Sequence, residues 1–239
     1  MSQLNTAASL NAEHNQLAKH AINVHKFGGS SLATTQCIER VVDIIKHSCQ
    51  INDIVVVSAC GDTTDEIFSL YQLALDNEGG VREALTGLRE NQAQLINSLL
   101  SESHAERLIQ LLEEDIKQLV NWLSGYLQAH HSDILAFGEI WSARLLSATL
   151  NEKVCPSYNI DAREFLVVDN SQDLNVIQDK SAAQFRGLKQ QGKLAVITGY
   201  ITKDSNGKSC TLGRNGSDYS ATIVASLNSA HNVTLWTDV

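Results

Sequence analysis

The sequence predicts an α/β fold with a mostly parallel central sheet. From Ile22 onward, short runs rich in β-branched residues alternate with longer segments of helical period, as expected of strands that cross over through helices. Leucine stripes at three- and four-residue spacing mark the helices, and glycine-bearing turns stand before two helical stretches.

Residues 1–21 are polar, rich in Ala, Asn, Gln and His, and read as a leader ahead of the folded part. The first strand is expected over Ile22–Phe27 and the second over Ile54–Ala59. Two long amphipathic helices follow. One carries Val81, Ala84, Leu85, Leu88, Leu95 and Leu99, and the other Leu108, Leu112, Ile116, Leu119, Leu123 and Leu127, both as core-facing stripes. His130-His131 with Asp133 reads as a polar helix start with Asp133 near the cap rather than as a metal site. Further strands are expected over Phe165–Val168, Leu194–Ile201 and Val233–Trp236, and Asn206-Gly207 predicts a tight hairpin because that pair tolerates positive φ. No repeat is visible, and the single proline, Pro156, marks no linker. Residues 22–239 therefore read as one domain. The final VTLWTDV is a strand and the start of a loop with nothing to cover it, which suggests a domain cut short at this end.

Composition narrows the function. With 239 residues, a formal net charge of -9 and no basic patch, the chain offers no field for nucleic acid or an anionic membrane surface. No apolar run is long enough to span a bilayer. The five cysteines are odd in number and never arranged as CxxC, which argues against a disulfide framework or a zinc site and for a reducing, cytoplasmic setting.

Two turns carry chemistry. In Val24-His25-Lys26-Phe27-Gly28-Gly29-Ser30-Ser31, glycines let the backbone approach a ligand, and free N–H groups at a following helix start suit a phosphate. Lys26 stands where its charge could neutralise a phosphoryl group in transfer. A plain Gly-Gly bend with a serine cap is the alternative, and this segment alone leaves both open. The segment is neither a P-loop nor GxGxxG. The second turn, Thr211-Leu212-Gly213-Arg214-Asn215-Gly216-Ser217-Asp218, repeats the device and adds a guanidinium suited to a carboxylate fork. Ser217 and Asp218 could instead serve only as helix cap and dipole partner.

With these turns in place, KFGGSSLA, VVVSACGDTT, FGEIWSARL, DAREFL, ITGYI, TLGRNGSDYSA and LWTDV are seen to resemble, in order, the motifs of aspartokinases. Within that family, DAREFL and GEIWSARL are most similar to the methionine-type bifunctional aspartokinase/homoserine dehydrogenases. The resemblance implies a three-layer αβα sandwich, the amino-acid kinase fold. It implies phosphorylation of the L-aspartate β-carboxylate by ATP with Mg²⁺, the first step toward lysine, threonine and methionine. It assigns catalysis to Lys26 and Asp218, and ATP to Lys26, Phe27, Gly28, Gly29, Ser30, Gly213, Gly216, Thr237 and Asp238. Aspartate falls to Thr64, Glu139, Arg214 and Ser217, with Glu139 on the ammonium. No protein metal ligands are implied, and the full-length protein is expected to be a homo-oligomer.

One departure stands out: Asp65 replaces the family's usual asparagine and would repel a dianionic substrate unless it points away. The alternatives are another amino-acid kinase, such as one acting on glutamate, and an incomplete fragment that binds aspartate without turnover. No dinucleotide fingerprint follows a strand, so dehydrogenase activity is not expected within these residues.

Overall fold

In chain order the first half of the fold runs β1 (Asn23–Phe27), α1 (Thr35–Ser48), β2 (Ile54–Val57), α2 (Thr63–Leu75), α3 (Val81–Leu99), α4 (Glu102–Gly125), α5 (His131–Leu135) and α6 (Phe137–Lys153). The second half runs β3 (Ser157–Ile160), β4 (Val167–Asp169), β5 (Asn175–Val176), α7 (Gln178–Leu188), β6 (Leu194–Thr198), β7 (Ile201–Asp204), β8 (Ser209–Thr211), α8 (Gly216–Leu227) and β9 (Asn232–Trp236). This computed structural model describes residues 21–77, 79–125, 127–169 and 175–239, so all but the last residue of the expected leader lies outside the described residues.

Five strands form one sheet in the order β3-β6-β2-β1-β9, and every pairing in it is parallel. Strands buried on both faces read as unbroken apolar runs, and β2 (IVVV) and β6 (LAVIT) are buried at every residue. A second sheet has the order β5-β4-β7-β8; β4 and β7 are parallel, while β5 and β8 pair antiparallel at its edges. The expected α/β fold with a parallel central sheet is therefore present.

The helices follow from their spacing. α1 buries Ile38, Val41, Val42 and Ile45, the i, i+3, i+4, i+7 stripe of an amphipathic helix. It starts at Thr34, whose Oγ1 accepts the Cys37 N–H at 3.2 Å. The two predicted leucine helices are α3 and α4, packed on each other. α6 is buried almost all round and packs on β2, β3 and β6, whereas α8 packs on β1, β2 and β9. Among the described residues no helix is long and apolar enough to cross a membrane.

Three expectations change. β3 was not anticipated, because Ser157 and Asn159 interrupt its apolar character; Ser157 is nevertheless buried, its Oγ donating to the Ser147 carbonyl at 2.7 Å. The single strand expected over Leu194–Ile201 divides into β6 and β7, which lie in different sheets. The break is at Gly199-Tyr200, where the Gly199 N–H still bonds Val57 O at 2.8 Å and Tyr200 takes φ 63°. The strand expected at Phe165–Val168 begins later, at Val167, because Phe165 and Leu166 close the 3-10 turn of Ala162–Glu164 through bonds to Ala162 O.

Candidate active site

Both glycine turns and the turn after β2 open on one cavity of about 500 Å³. Strands of a parallel sheet end on the same side, and ligands of open α/β sheets gather beyond those ends. Lys26, Ser58 and Ala59 reach the cavity from β1 and the end of β2, Thr64 and Glu139 from α2 and α6, and Arg214, Ser217 and Asp218 from the second glycine turn. Gly29, Gly213 and Gly216 belong to the same lining.

The backbone there is close-packed, which is what the glycines permit. A Cβ on Gly29 would stand 2.9 Å from Gly61 O, and the Gly61 N–H donates to Gly29 O at 2.9 Å. Gly199 is tighter still: a Cβ would meet Ser217 Cβ at 2.7 Å and Val57 O at 2.9 Å. The corner at Tyr200 is held by Ser220, whose Oγ accepts the Tyr200 N–H at 3.0 Å and donates to Gly216 O at 2.9 Å.

Lys26 is buried, and its Nζ lies 2.5 Å from Asp218 Oδ1, so residues 192 positions apart in sequence form one ion pair. Glu139, 3% exposed, has no such partner. The Thr64 hydroxyl reaches its Oε1 at the long distance of 3.5 Å, and Oε2 has no hydrogen bond. Burial pushes its carboxyl up to about 8, against the pull of backbone N–H groups at Glu139 and Ala59 and of the Thr64 hydroxyl. Arg214 is exposed at the cavity and makes no hydrogen bond or ion pair among the described residues.

Several expected residues stand elsewhere. Phe27 is fully buried, stacked on Trp236 at 5.9 Å between centroids, so its ring faces the core and only its backbone is near the turn. Gly28 lies beside Lys26, where a Cβ would stand 3.5 Å from Nζ. Ser30 and Asp238 meet each other, the Ser30 hydroxyl donating to Asp238 Oδ1 at 2.8 Å; neither they nor the exposed Thr237 line the cavity. The first turn also runs into a single 3-10 turn at Ser30–Leu32 and not directly into a long helix, because Thr34 is extended and starts α1 afresh. Asp65 is exposed on α2 and outside the cavity lining.

Sequence reasoning did not select Ser58, Ala59, Gly61, Tyr200 or Asn215, all of which line the cavity. The signal for the first three was a buried strand running into Cys-Gly, and for Tyr200 a glycine inside a strand pattern, which marks a bend or close approach. Asp133 also does more than stand near a helix cap. It receives Arg163 Nη1 at 2.9 Å, the Ser209 hydroxyl and His130 Nδ1 at 3.1 Å, and so ties α5 to β8 and to the turn after β3.

The chain is similar to known proteins over most of its length. The chain is 39% identical over 219 residues to bifunctional aspartokinase/homoserine dehydrogenase 2 of Escherichia coli (strain K12), covering 90% of this chain and 27% of that protein. It is 32% identical to the aspartokinase of Chlamydia trachomatis (serovar D), covering 90% of this chain and 48% of that one. The crystal structure of E. coli aspartokinase III in complex with aspartate and ADP is similar with a TM-score of 0.77 at 28% identity, over 91% of this chain and 49% of that chain. The chain thus spans about a quarter to a half of the length of these relatives. A model of the amino acid kinase family matches residues 21–239, and the chain belongs to that family.

Proposed function

We propose that this chain forms the catalytic site of an aspartokinase, transferring the γ-phosphoryl group of ATP to the β-carboxylate of L-aspartate to give 4-phospho-L-aspartate and ADP. The observation that carries this reading is a single cavity lined by a buried lysine already paired with a carboxylate and by a buried glutamate with no counter-charge. Such a cavity suits a reaction between two anions, one of which also carries an ammonium group. Similarity to aspartokinases, one of them solved with aspartate and ADP, supports the choice of substrates.

The β-carboxylate, with a reference pKa of about 3.9, is already ionised at neutral pH. No general base is needed, which accords with a lining that holds no histidine. The barrier is electrostatic and geometric, because one anion must approach another. Lys26, oriented by Asp218, faces the charge that develops on the moving phosphoryl group. The phosphates are assigned to the N–H groups of Gly28, Gly29 and Gly213 and to the turn that Gly216 closes by donating its N–H to Gly213 O at 3.0 Å; Ser30 joins them when its hydroxyl turns from Asp238, and Thr237 and Asp238 begin the nucleotide contacts. Glu139 takes the substrate ammonium, while Thr64, Arg214 and Ser217 take its carboxylates. When bound, Mg²⁺ supplies further charge neutralisation on the phosphates. Among the described residues no three His, Cys, Asp or Glu side chains converge to hold a metal. The ion would be held mainly by phosphate and water, with Asp218 of the second turn and Asp238 after β9 as the carboxylates at hand.

The test is hydroxylamine trapping of the acyl phosphate. It is run on the 239-residue chain and on a chimera carrying it in place of the matched segment of the E. coli bifunctional relative. Aspartate-dependent hydroxamate with ATP and Mg²⁺ in the chimera is the expected result. Its absence there, or an equal yield with glutamate, would overturn the assignment.

A further inference from the structure

Tyr200 lines the active-site cavity, and the proposed phosphoryl transfer assigns it no task. Its backbone is fixed on both sides. The N–H donates to Ser220 Oγ at 3.0 Å, and the carbonyl accepts the Leu212 N–H at 2.7 Å. Between these bonds the residue holds φ 63°, in the left-handed region that a bulky side chain adopts only where its surroundings impose it. The ring lies against the start of α8, where a Cβ on Gly216 would meet Tyr200 Cδ2 at 2.8 Å.

The packing explains the ring but not the hydroxyl. The oxygen has no hydrogen-bond partner among the described residues, whereas a tyrosine hydroxyl in a packed wall ordinarily finds one. Phenylalanine would pack on Gly216 equally well, so the oxygen needs another reason. Its place in the sheet narrows the ligand. Tyr200 follows β6, and the order β3-β6-β2-β1-β9 sets two strands between β6 and β9, whose end carries Thr237 and Asp238. Glu139 stands on α6, which packs on β6. Tyr200 is therefore at the Glu139 end of the cavity, away from the residues assigned to the nucleotide.

We propose that Tyr200 is a specificity-determining residue whose hydroxyl donates a hydrogen bond to a carboxylate of the amino-acid substrate, an inference that rests on the kinase reading of the same cavity. A phenol brings one proton without a charge, and a hydrogen bond to a carboxylate is among the stronger kinds. A neutral donor suits that end of the cavity, because a further cation beside Glu139 would compete with the substrate ammonium for its carboxylate.

Tyr200→Phe keeps the ring on Gly216 and removes only the oxygen. L-Aspartate is titrated by calorimetry, without nucleotide, into the 239-residue chain and its variants, and hydroxamate kinetics are measured on the chimera. Tyr200→Phe should weaken aspartate binding and raise KM for aspartate about tenfold, the scale of a hydrogen bond to a charged group, with KM for ATP changing less than about twofold. Tyr219→Phe is the same change at an exposed neighbour outside the cavity lining, and it should leave aspartate binding as in the parent chain. The proposal is overturned if Tyr200→Phe binds aspartate like the parent, if KM for ATP rises as much as KM for aspartate, or if Tyr219→Phe shows the same loss. A Tyr200→Phe chain that fails to fold, read by thermal unfolding, also overturns it, since the oxygen would then be structural. A parent chain that does not bind aspartate ends this inference and the kinase reading together. Binding that Tyr200→Phe weakens, with no hydroxamate from the chimera, supports the contact and ends the kinase reading alone.

Discussion

Lys26 and Glu139 are both buried ionisable residues on one cavity, yet they are treated in opposite ways. The lysine has its counter-charge 2.5 Å away on Asp218, whereas the glutamate has a carboxylate oxygen with no hydrogen bond and a pKa pushed up to about 8 by burial. A matched charge is held in place and ready to act on whatever arrives. An unmatched one is costly to ionise and waits for a ligand that supplies the missing charge. The difference separates a group suited to the transfer step from a group suited to recognition.

Substitutions at the two residues should therefore fail differently. Lys26→Ala is expected to lower turnover by about two orders of magnitude or more, the scale of losing one transition-state donor. Near-normal kcat in a hydroxamate assay would remove Lys26 from the chemistry and end the contrast. Glu139→Ala should instead raise KM for aspartate by roughly tenfold or more with little change for ATP, as expected when ground-state binding is lost. Equal effects on both substrates would mean that the glutamate does not read the ammonium.

The unmatched charge also predicts a pH dependence of stability with a definite sign. Burial pushes the Glu139 carboxyl up to about 8 in the folded chain, from an ordinary value of 4.5. The folded state thus binds more protons than the unfolded state between these values, and stability contributed by the neutral carboxyl is lost as pH rises through that window. Glu139→Gln escapes the loss, so urea unfolding should show the variant gaining roughly 4 kcal/mol on the parent chain between pH 5 and pH 8.5. A constant difference across that range would show that the carboxyl is already ionised when folded.

Smaller effects test the frame around the two charges. Gly199→Ala places a methyl group 2.7 Å from Ser217 Cβ and 2.9 Å from Val57 O. It should cost about 1–3 kcal/mol, the usual range for overpacking, and should shift aspartate affinity because Ser217 moves. Asp65→Asn should change KM for aspartate less than about twofold, since Asp65 is exposed and outside the cavity lining, where charges are strongly screened.

Much of this was legible in the residues. The unbroken apolar runs of β2 and β6 and the stripe periods of α3 and α4 are local patterns, and each formed over most of its predicted segment, with α4 ending at Gly125, before Leu127, and β6 at Thr198. The two glycine turns were legible too, because a glycine pair beside hydroxyl and charged side chains constrains the nearby backbone whatever the rest of the chain does. β3 was hidden, because an edge strand with serine and asparagine carries little hydrophobic pattern. The Phe27 assignment misled, because a motif gives adjacency in sequence while alternation along a strand decides which side chains face the core.

The sequence by itself determined the α/β class, the positions of the glycine turns and the identities of the charged groups, since these depend on local spacing and on side-chain chemistry. Only the tertiary structure decided that Lys26 meets Asp218, that Glu139 meets no counter-charge, and that Leu194–Ile201 serves two sheets. Those outcomes depend on which distant segments pack together and how much water they exclude. Desolvation is a property of the assembled surroundings and has no signature in any one stretch of residues.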